Sequence, residues 1–245
     1  MRFDVVTLFP DMITAAASYG VTGRAIQREI VSLSVWNPRD YTNDKHRTVD
    51  DRPYGGGPGM VMKYRPLHDA VESAKQACSQ PAKVVYLSPQ GKPINQALLS
   101  EACAVSQLIL IAGRYEGVDE RFVSKDCDDE WSVGDYVISG GELAALIVID
   151  AITRLLPGVL GHEGSALQDS HMNGLLDYPH FTRPEQIEDS SVPDILLSGN
   201  HADIEIWRMK QMLGRTWQKR PDLLKNKKLS AAQENLLQQF KSEVE

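Results

Sequence analysis

Two short runs near the N-terminus, Phe3 to Phe9 (FDVVTLF) and Val31 to Trp36 (VSLSVW), are rich in β-branched and aromatic residues and read as strands. Between them, Asp11 to Ile30 has helical character broken at Gly20 and Gly23. Lys83 to Leu87 (KVVYL) and Leu108 to Ala112 (LILIA) are unbroken apolar runs bounded by turn residues, the pattern of strands buried on both faces of a parallel sheet. Leu67, Ala70, Val71, Ala74 and Ala77 recur at helical spacing and predict a helix from about Pro66 to Cys78, while Asn95 to Val105 reads as a crossover helix. Gly141 to Leu155 is apolar nearly all round apart from Glu142, Asp150, Thr153 and Arg154, which predicts a helix buried against a sheet or a partner. Strand and helix alternate, so an α/β domain with a parallel sheet is expected over residues 1–160.

Polar stretches interrupt this pattern twice. Asn37 to Lys63 is a 27-residue loop holding the densest glycine run, Pro53 to Gly59, and loops of that length inside a domain tend to be functional or mobile. Gly158 to Gly174 has no usable periodicity and four glycines, so residues 161–174 read as a linker or lid. Residues 175–245 contain no convincing strand and predict a small all-helical domain. Its helices are expected from about His201 to Leu213, opened by Asn200, and from Ala231 to Val244, opened by a capping box of Ser230 and Gln233 with an apolar line Ala232, Leu236, Phe240 and Val244.

Of the 245 residues, 42% are apolar, enough for a sizeable core, which excludes disorder for most of the chain. The longest apolar run, Leu143 to Ile149, is far short of the ~20 residues that cross a bilayer. No membrane span and no signal peptide are expected, and a cytoplasmic location follows. Three cysteines, Cys78, Cys103 and Cys127, fit a reducing compartment and have no metal-ligand or redox spacing. A net charge of −7 argues against a nucleic-acid partner. That charge is segregated, however. His201 to Lys228 carries eight Lys and Arg against three acids, a local +5 that leaves −12 on the rest, with Trp207 and Trp217 interleaved. Basic residues with aromatics suit phosphate contact and base stacking; a solvated helix face over a local core is the competing reading.

Glycine-containing loops carry the remaining candidate chemistry. Gly55 to Met60 matches neither a P-loop nor a dinucleotide fingerprint, and a surface turn is as good a reading. Leu87 to Gly91, Ala112 to Gly117 and Val133 to Gly141 follow or flank the buried strands, and ligands in open α/β sheets lie off the carboxyl ends of strands. Ordinary strand-to-helix turns are the alternative. Asp150 and Arg154, spaced i, i+4, make either a helix-stabilising ion pair or a cation held for an anionic or carbonyl group. His162, Glu163, Asp169 and His171 lie close together without metal-binding spacing; a solvated loop is the default, and one carboxylate delivered by a lid could be a general base.

These segments together closely resemble the bacterial tRNA (guanine-N1)-methyltransferase family, a SPOUT-class family. The resemblance rests on FDVVTLFP (3–10), DDRPYGGGPGM (50–60), YLSPQG (86–91), AGRYEGVDER (112–121), VGDYVISGGE (133–142), LLSGNHADIEIWR (196–208) and GRTW (214–217). It implies methyl transfer from S-adenosyl-L-methionine to N1 of guanosine 37 in tRNA, just 3′ of the anticodon. It also implies a parallel α/β fold with a deep C-terminal trefoil knot, and a homodimer whose lid and helical domain face the partner's knot. The cofactor positions carried over are Tyr86, Leu87, Ser88, Pro89 and Gln90; Gly113, Tyr115 and Glu116; and Val133, Gly134, Asp135, Tyr136, Val137, Ile138, Gly140 and Gly141. Asp169 corresponds to the base and Arg154 to a buried arginine that stabilises charge on guanine O6. Asn200, His201, Arg208, Lys210, Arg215 and Arg220 are expected to hold the anticodon stem. The resemblance leaves open Mg²⁺ as an aid to the reaction, and no ligand cluster in the sequence supports a structural metal. Two other readings stand beside it: an RNA-binding module with a decayed enzyme core, and a SPOUT methyltransferase acting on ribose or another RNA site.

Overall fold

The apolar run at residues 108–112 becomes the middle strand of a five-stranded sheet in the computed structural model, which describes residues 1–161, 169–225 and 227–244. The chain divides into two units, Met1–Gly161 and His162–Glu245. In the first, the strands in chain order are β1 (Arg2–Val6), β2 (Ser32–Trp36), β3 (Asp50–Asp51), β4 (Val61–Met62), β5 (Ala82–Pro93), β6 (Gln107–Ala112) and β7 (Asp129–Ser132). Five of them pair in parallel in the order β2-β1-β6-β5-β7, and β3 and β4 form a separate antiparallel pair. The helices are α1 (Pro10–Ala17), α2 (Gly20–Gln27), α3 (Tyr64–Gln76), α4 (Gln96–Ala102), α5 (Glu120–Asp126) and α6 (Glu142–Thr153).

Alternation along β6 divides the core. Leu108, Leu110 and Ala112 join Phe3, Val5, Val85 and the α6 residues Val148, Ile149 and Ile152, whereas Ile109 and Ile111 join Val84, Leu67, Val71 and Phe122 of the opposite layer. Both faces of the sheet are therefore covered, as continuous apolar runs demand. Each such side chain fully withdrawn from water contributes roughly 1.5–3 kcal/mol. One buried polar cluster sits in this core. Asp4 of β1, fully buried, accepts hydrogen bonds from Arg2 Nε and Nη2 (both 2.7 Å), Trp36 Nε1 of β2 (2.7 Å) and Gln107 Nε2 of β6 (2.9 Å).

Several expectations are corrected. Gly20 opens α2, but Gly23 lies inside it rather than breaking it. The long polar loop at 37–63 is not featureless: it holds a 3₁₀ turn (Pro38–Tyr41) and the β3–β4 pair. Met60 and Met62 tie it by backbone to residues 116–119, through Glu116 N–H to Met60 C=O, Met62 N–H to Gly117 C=O and Asp119 N–H to Met62 C=O, each 2.9 Å. The predicted loop after Leu87 is an irregularity within β5, which pairs with Trp131 at Leu87 and again at Lys92. α5 and β7 carry too few apolar residues for periodicity to reveal them.

The second unit holds a small hairpin, β8 (Gln186–Ile187) and β9 (Ser190–Ser191), where no strand was expected. Its helices are α7 (Asp194–Leu197), α8 (His201–Lys219), α9 (Pro221–Lys225) and α10 (Ala231–Val244). Leu175, Met212, Leu213 and Leu237 form its core. α8 runs through Gly214, where the sequence reading ended it, because the glycine admits the Phe240 ring of α10; a Cβ there would collide with that ring. The capping box of α10 forms, Ser230 N–H to Gln233 Oε1 at 3.0 Å and Gln233 N–H to Ser230 Oγ at 3.3 Å. Of the predicted line, Phe240 is buried and Leu236 packs against the core beside Leu237, whereas Ala232 and Val244 are exposed. Among the described residues no helix is long and apolar enough to cross a membrane.

Candidate active site

Because β5, β6 and β7 run parallel, the segments leaving their carboxyl ends emerge on one side of the sheet, and there they line a cleft of about 200 Å³. Tyr86, Leu87, Ser88 and Pro89 come from β5; Gly113, Tyr115 and Glu116 from the turn after β6; Val133, Gly134, Tyr136, Val137, Ile138, Gly140 and Gly141 from the segment between β7 and α6. Two expected members, Gln90 and Asp135, are exposed and do not line it. Arg114, Gly117 and Ser139, which lie within the candidate loops but were not singled out, also line it, as do Trp131, Ser132 and Ala144, which sequence reasoning missed. The signal for Arg114 was within reach: it stands in the same motif as Gly113 and Tyr115, and Glu142 was a lone acid opening an apolar helix.

The turns are locked by hydrogen bonds. Gly141 N–H donates to Gly113 C=O at 2.9 Å, and Ser88 Oγ accepts from Gln90 N–H at 3.1 Å. Tyr115 has φ +60°, a left-handed conformation unusual for a side-chain-bearing residue, and it leaves its ring about half exposed at the cleft. Burial, reinforced by Glu130, pushes the Tyr86 phenol up to about 12, so it stays a neutral wall. Burial likewise pushes the Cys127 thiol up to about 12, with Asp126, Asp128 and Glu130 adding to it. Arg114 Nη2 pairs at 2.8 Å with Glu142 Oε2, a carboxylate with no exposed surface.

Arg154 caps α6, its N–H donating to Asp150 C=O at 3.1 Å, and a cation there suits the helix dipole. Asp150 is exposed and accepts from Thr22 Oγ1 at 3.2 Å, and Arg154 is only half-buried. Leu143 and Ile147 of the same helix are each 49% exposed, which makes an apolar outer strip. Asp169 belongs to the second unit, partly exposed, its C=O accepting Met172 N–H at 3.3 Å. His162 and Glu163, the first acid and histidine expected in the lid, lie outside the described residues. Among the described residues no group of three or more His, Cys, Asp or Glu side chains is arranged to hold a metal ion.

The basic segment is less free than its composition suggests. Asn200 caps α8 through Ala202 N–H (3.2 Å), and His201 is exposed. Arg208 pairs with Glu205 at 2.6 Å and lies over the Tyr178 ring; Lys210 pairs with Glu243 at 2.7 Å; Arg220 pairs with Asp222 at 2.7 Å. Arg215 is half-buried. Trp217 packs against the core of its unit under Lys241, the bland outcome, while Trp207 neighbours Phe181 at the half-exposed surface.

Comparison with known proteins places the chain in a family. A tRNA (guanine-N(1)-)-methyltransferase of Methylococcus capsulatus is 61% identical over 245 residues, 100% of this chain and 98% of its own. Proteins of the same name from Pseudomonas putida (58% over 240 residues, 98% and 96%) and Klebsiella pneumoniae (56% over 243 residues, 99% and 95%) are also similar. Residues 1–226 match the family described as tRNA (Guanine-1)-methyltransferase TrmD, and the chain belongs to that family.

Proposed function

We propose that this chain transfers the methyl group of S-adenosyl-L-methionine to N1 of guanosine 37 in tRNA, giving 1-methylguanosine. The cleft carries the reading: three segments far apart in sequence meet at the carboxyl ends of adjacent parallel strands in a chain of a methyltransferase family. Its lining suits the donor, for Leu87, Val133 and Ile138 offer apolar faces to adenine and the Glu116 carboxylate at the rim suits a cationic group. S-Adenosylmethionine supplies an electrophilic methyl when bound.

Guanine N1 carries a proton that must leave as the N–C bond forms, so a positioned carboxylate is required. Asp169 takes that role, and Arg154 offsets negative charge building on guanine O6. No covalent enzyme intermediate is needed, and a thiol held neutral like Cys127 has no part in the chemistry. The strand-end loops are read as a deep trefoil knot, a reading that rests on the family to which the chain belongs. The working unit is read as a homodimer in which the lid (161–174) and helical domain (175–245) of one subunit face the knot of the other. The exposed apolar strip at Leu143 and Ile147 supports this. Asn200, His201, Arg208, Lys210, Arg215 and Arg220 are assigned to the anticodon stem, and a tRNA substrate implies a cytoplasmic enzyme. For Mg²⁺ the described donor set offers no site, and no step is assigned to it.

The test is methyl transfer from labelled S-adenosylmethionine into tRNA transcripts carrying guanosine or adenosine at position 37. Label is expected in the first alone; equal labelling overturns the target assignment, and none in either overturns the activity. Asp169→Ala should keep cofactor affinity in calorimetry and lose about 10²–10⁴ in turnover; unchanged turnover removes Asp169 as the base.

A further inference from the structure

The reading above leaves Arg114 and Glu142 without a role, although they form the most enclosed ion pair beside the cleft. Glu142 opens α6 with no exposed surface, and Arg114 is 19% exposed. Glu142 Oε1 accepts from Thr7 Oγ1 at 2.8 Å, and Thr7 Oγ1 in turn accepts from Phe9 N–H at 2.9 Å. The guanidinium lies 4.4 Å from the centre of the Phe9 ring. Its Nη1 donates to Ser139 C=O at 3.1 Å, and its Nε lies so near Gly140 that a Cβ there would collide with it. One planar group thus binds the segment after β1, the turn after β6 and the turn that leads into α6. The last two are walls of the cleft.

We infer that Arg114, anchored by buried Glu142, is a positioning residue that sets the spacing of the two cleft walls and thereby the affinity for the methyl donor. This rests on the methyltransferase reading. The reasons are geometric and electrostatic. A guanidinium can stack on a ring, pair with a carboxylate and reach a carbonyl at once because its donors lie in one plane; an ammonium of similar charge cannot. A carboxylate withdrawn from water is held only while its partners remain, so Glu142 keeps Arg114 in a single place. The pair is also neutral as a whole, which spares a cationic sulfonium from facing an unpaired guanidinium. Arg114 reaches the reaction through the turns it holds, and its loss should register on the donor rather than on tRNA.

The experiment compares the full-length wild-type protein with Arg114→Lys and Glu142→Gln. It measures S-adenosylmethionine affinity by calorimetry, and KM for each substrate and kcat with a guanosine-37 transcript. Arg114→Lys is expected to weaken donor binding, by calorimetry and KM alike, on the order of tenfold, with KM for tRNA within about twofold and an unchanged far-UV spectrum. Donor affinity within twofold of wild type in folded Arg114→Lys, or a rise shared equally by the two substrates, overturns the inference. Should Arg114→Lys not fold, Glu142→Gln decides. It retains the shape and the Thr7 hydrogen bond, so the same donor-selective loss supports the positioning role and its absence overturns it. If the wild-type protein itself binds donor but methylates no tRNA, the functional reading fails instead, while the calorimetric comparison still judges Arg114.

Discussion

Asp129 opens β7 where burial works against ionisation, yet the donors gathered round it outweigh that effect. Lys92, Lys83 and the Glu130 N–H, with the Trp131 ring close by, hold its carboxyl at about 2, below the ordinary 3.8. The lysines approach to 3.0 and 3.2 Å. A carboxyl more acidic in the folded than in the unfolded chain adds stability above the unfolded value, and that stability drains away as pH falls from about 4 towards 2. Asp129→Asn should therefore cost up to about 2 kcal/mol at pH 7 and flatten the acid limb of a urea-denaturation series; an acid limb as steep as wild type would show that Asp129 is not its source. Cys127 gives a second check. Its raised thiol should resist iodoacetamide at pH 8 until denaturant is added, and labelling in the folded protein at the rate of a free thiol would contradict its burial. What the sequence could and could not disclose differs by side chain. Tyr86 and Gly113 were legible because they sit at the ends of apolar strands, and Arg114 stands in the same turn as Gly113; its pairing with Glu142, 28 positions away, leaves no periodic trace.

Helix α8 and strand β7 show opposite failures of local pattern. β7, Asp-Glu-Trp-Ser, buries only Trp131 and Ser132 and is held as a strand by pairing with β5 and by the lysines over Asp129. No run of four residues with one large apolar side chain announces a strand. β6, by contrast, was fully legible because all of its residues are buried. In α8 the expected end at Leu213 fell short: the helix continues through Gly214, where packing against Phe240 outweighs the glycine's poor helix propensity. Gly214→Ala makes the competition measurable. Alanine gains about 1 kcal/mol in propensity, but forcing a methyl into a filled contact costs about 1–3 kcal/mol. Net destabilisation is expected in chemical denaturation, relieved when Phe240→Leu makes room; stabilisation in the wild-type background would mean that the ring can step aside.

For the whole chain, net charge pointed away from the proposed substrate because −7 is an average over unlike parts. Pairing refines this further: with Arg208, Lys210 and Arg220 engaged by Glu205, Glu243 and Asp222, RNA must compete for them. Raising salt should weaken tRNA binding far more than donor binding, with a log–log slope well below the ~7 that eight full phosphate contacts would give. A slope of that size would mean that RNA displaces every internal carboxylate. Leu143→Glu with Ile147→Glu should turn a dimer into monomers in sedimentation at equal concentration; a variant that still sediments as a dimer moves the interface elsewhere. Neither the proposed dimer nor the proposed knot can be read from periodicity, which reports one helix or strand at a time; both come from the family resemblance.

The Asp4 cluster lies in the sheet beside no part of the cleft, but it constrains it. Asp4 takes donors from β1, β2 and β6 together, so it can be satisfied at one alignment of the three strands only. Slipping β1 by one residue would carry Thr7 about 3.3 Å along the sheet, out of reach of Glu142, and would unfasten the hydrogen bond that steadies Arg114. A misthreaded sheet would thus leave a charged group stranded in its interior and a misaligned pocket at its rim. The same carboxylate that makes the wrong fold costly also proofreads the cleft, although it lies beside no part of it.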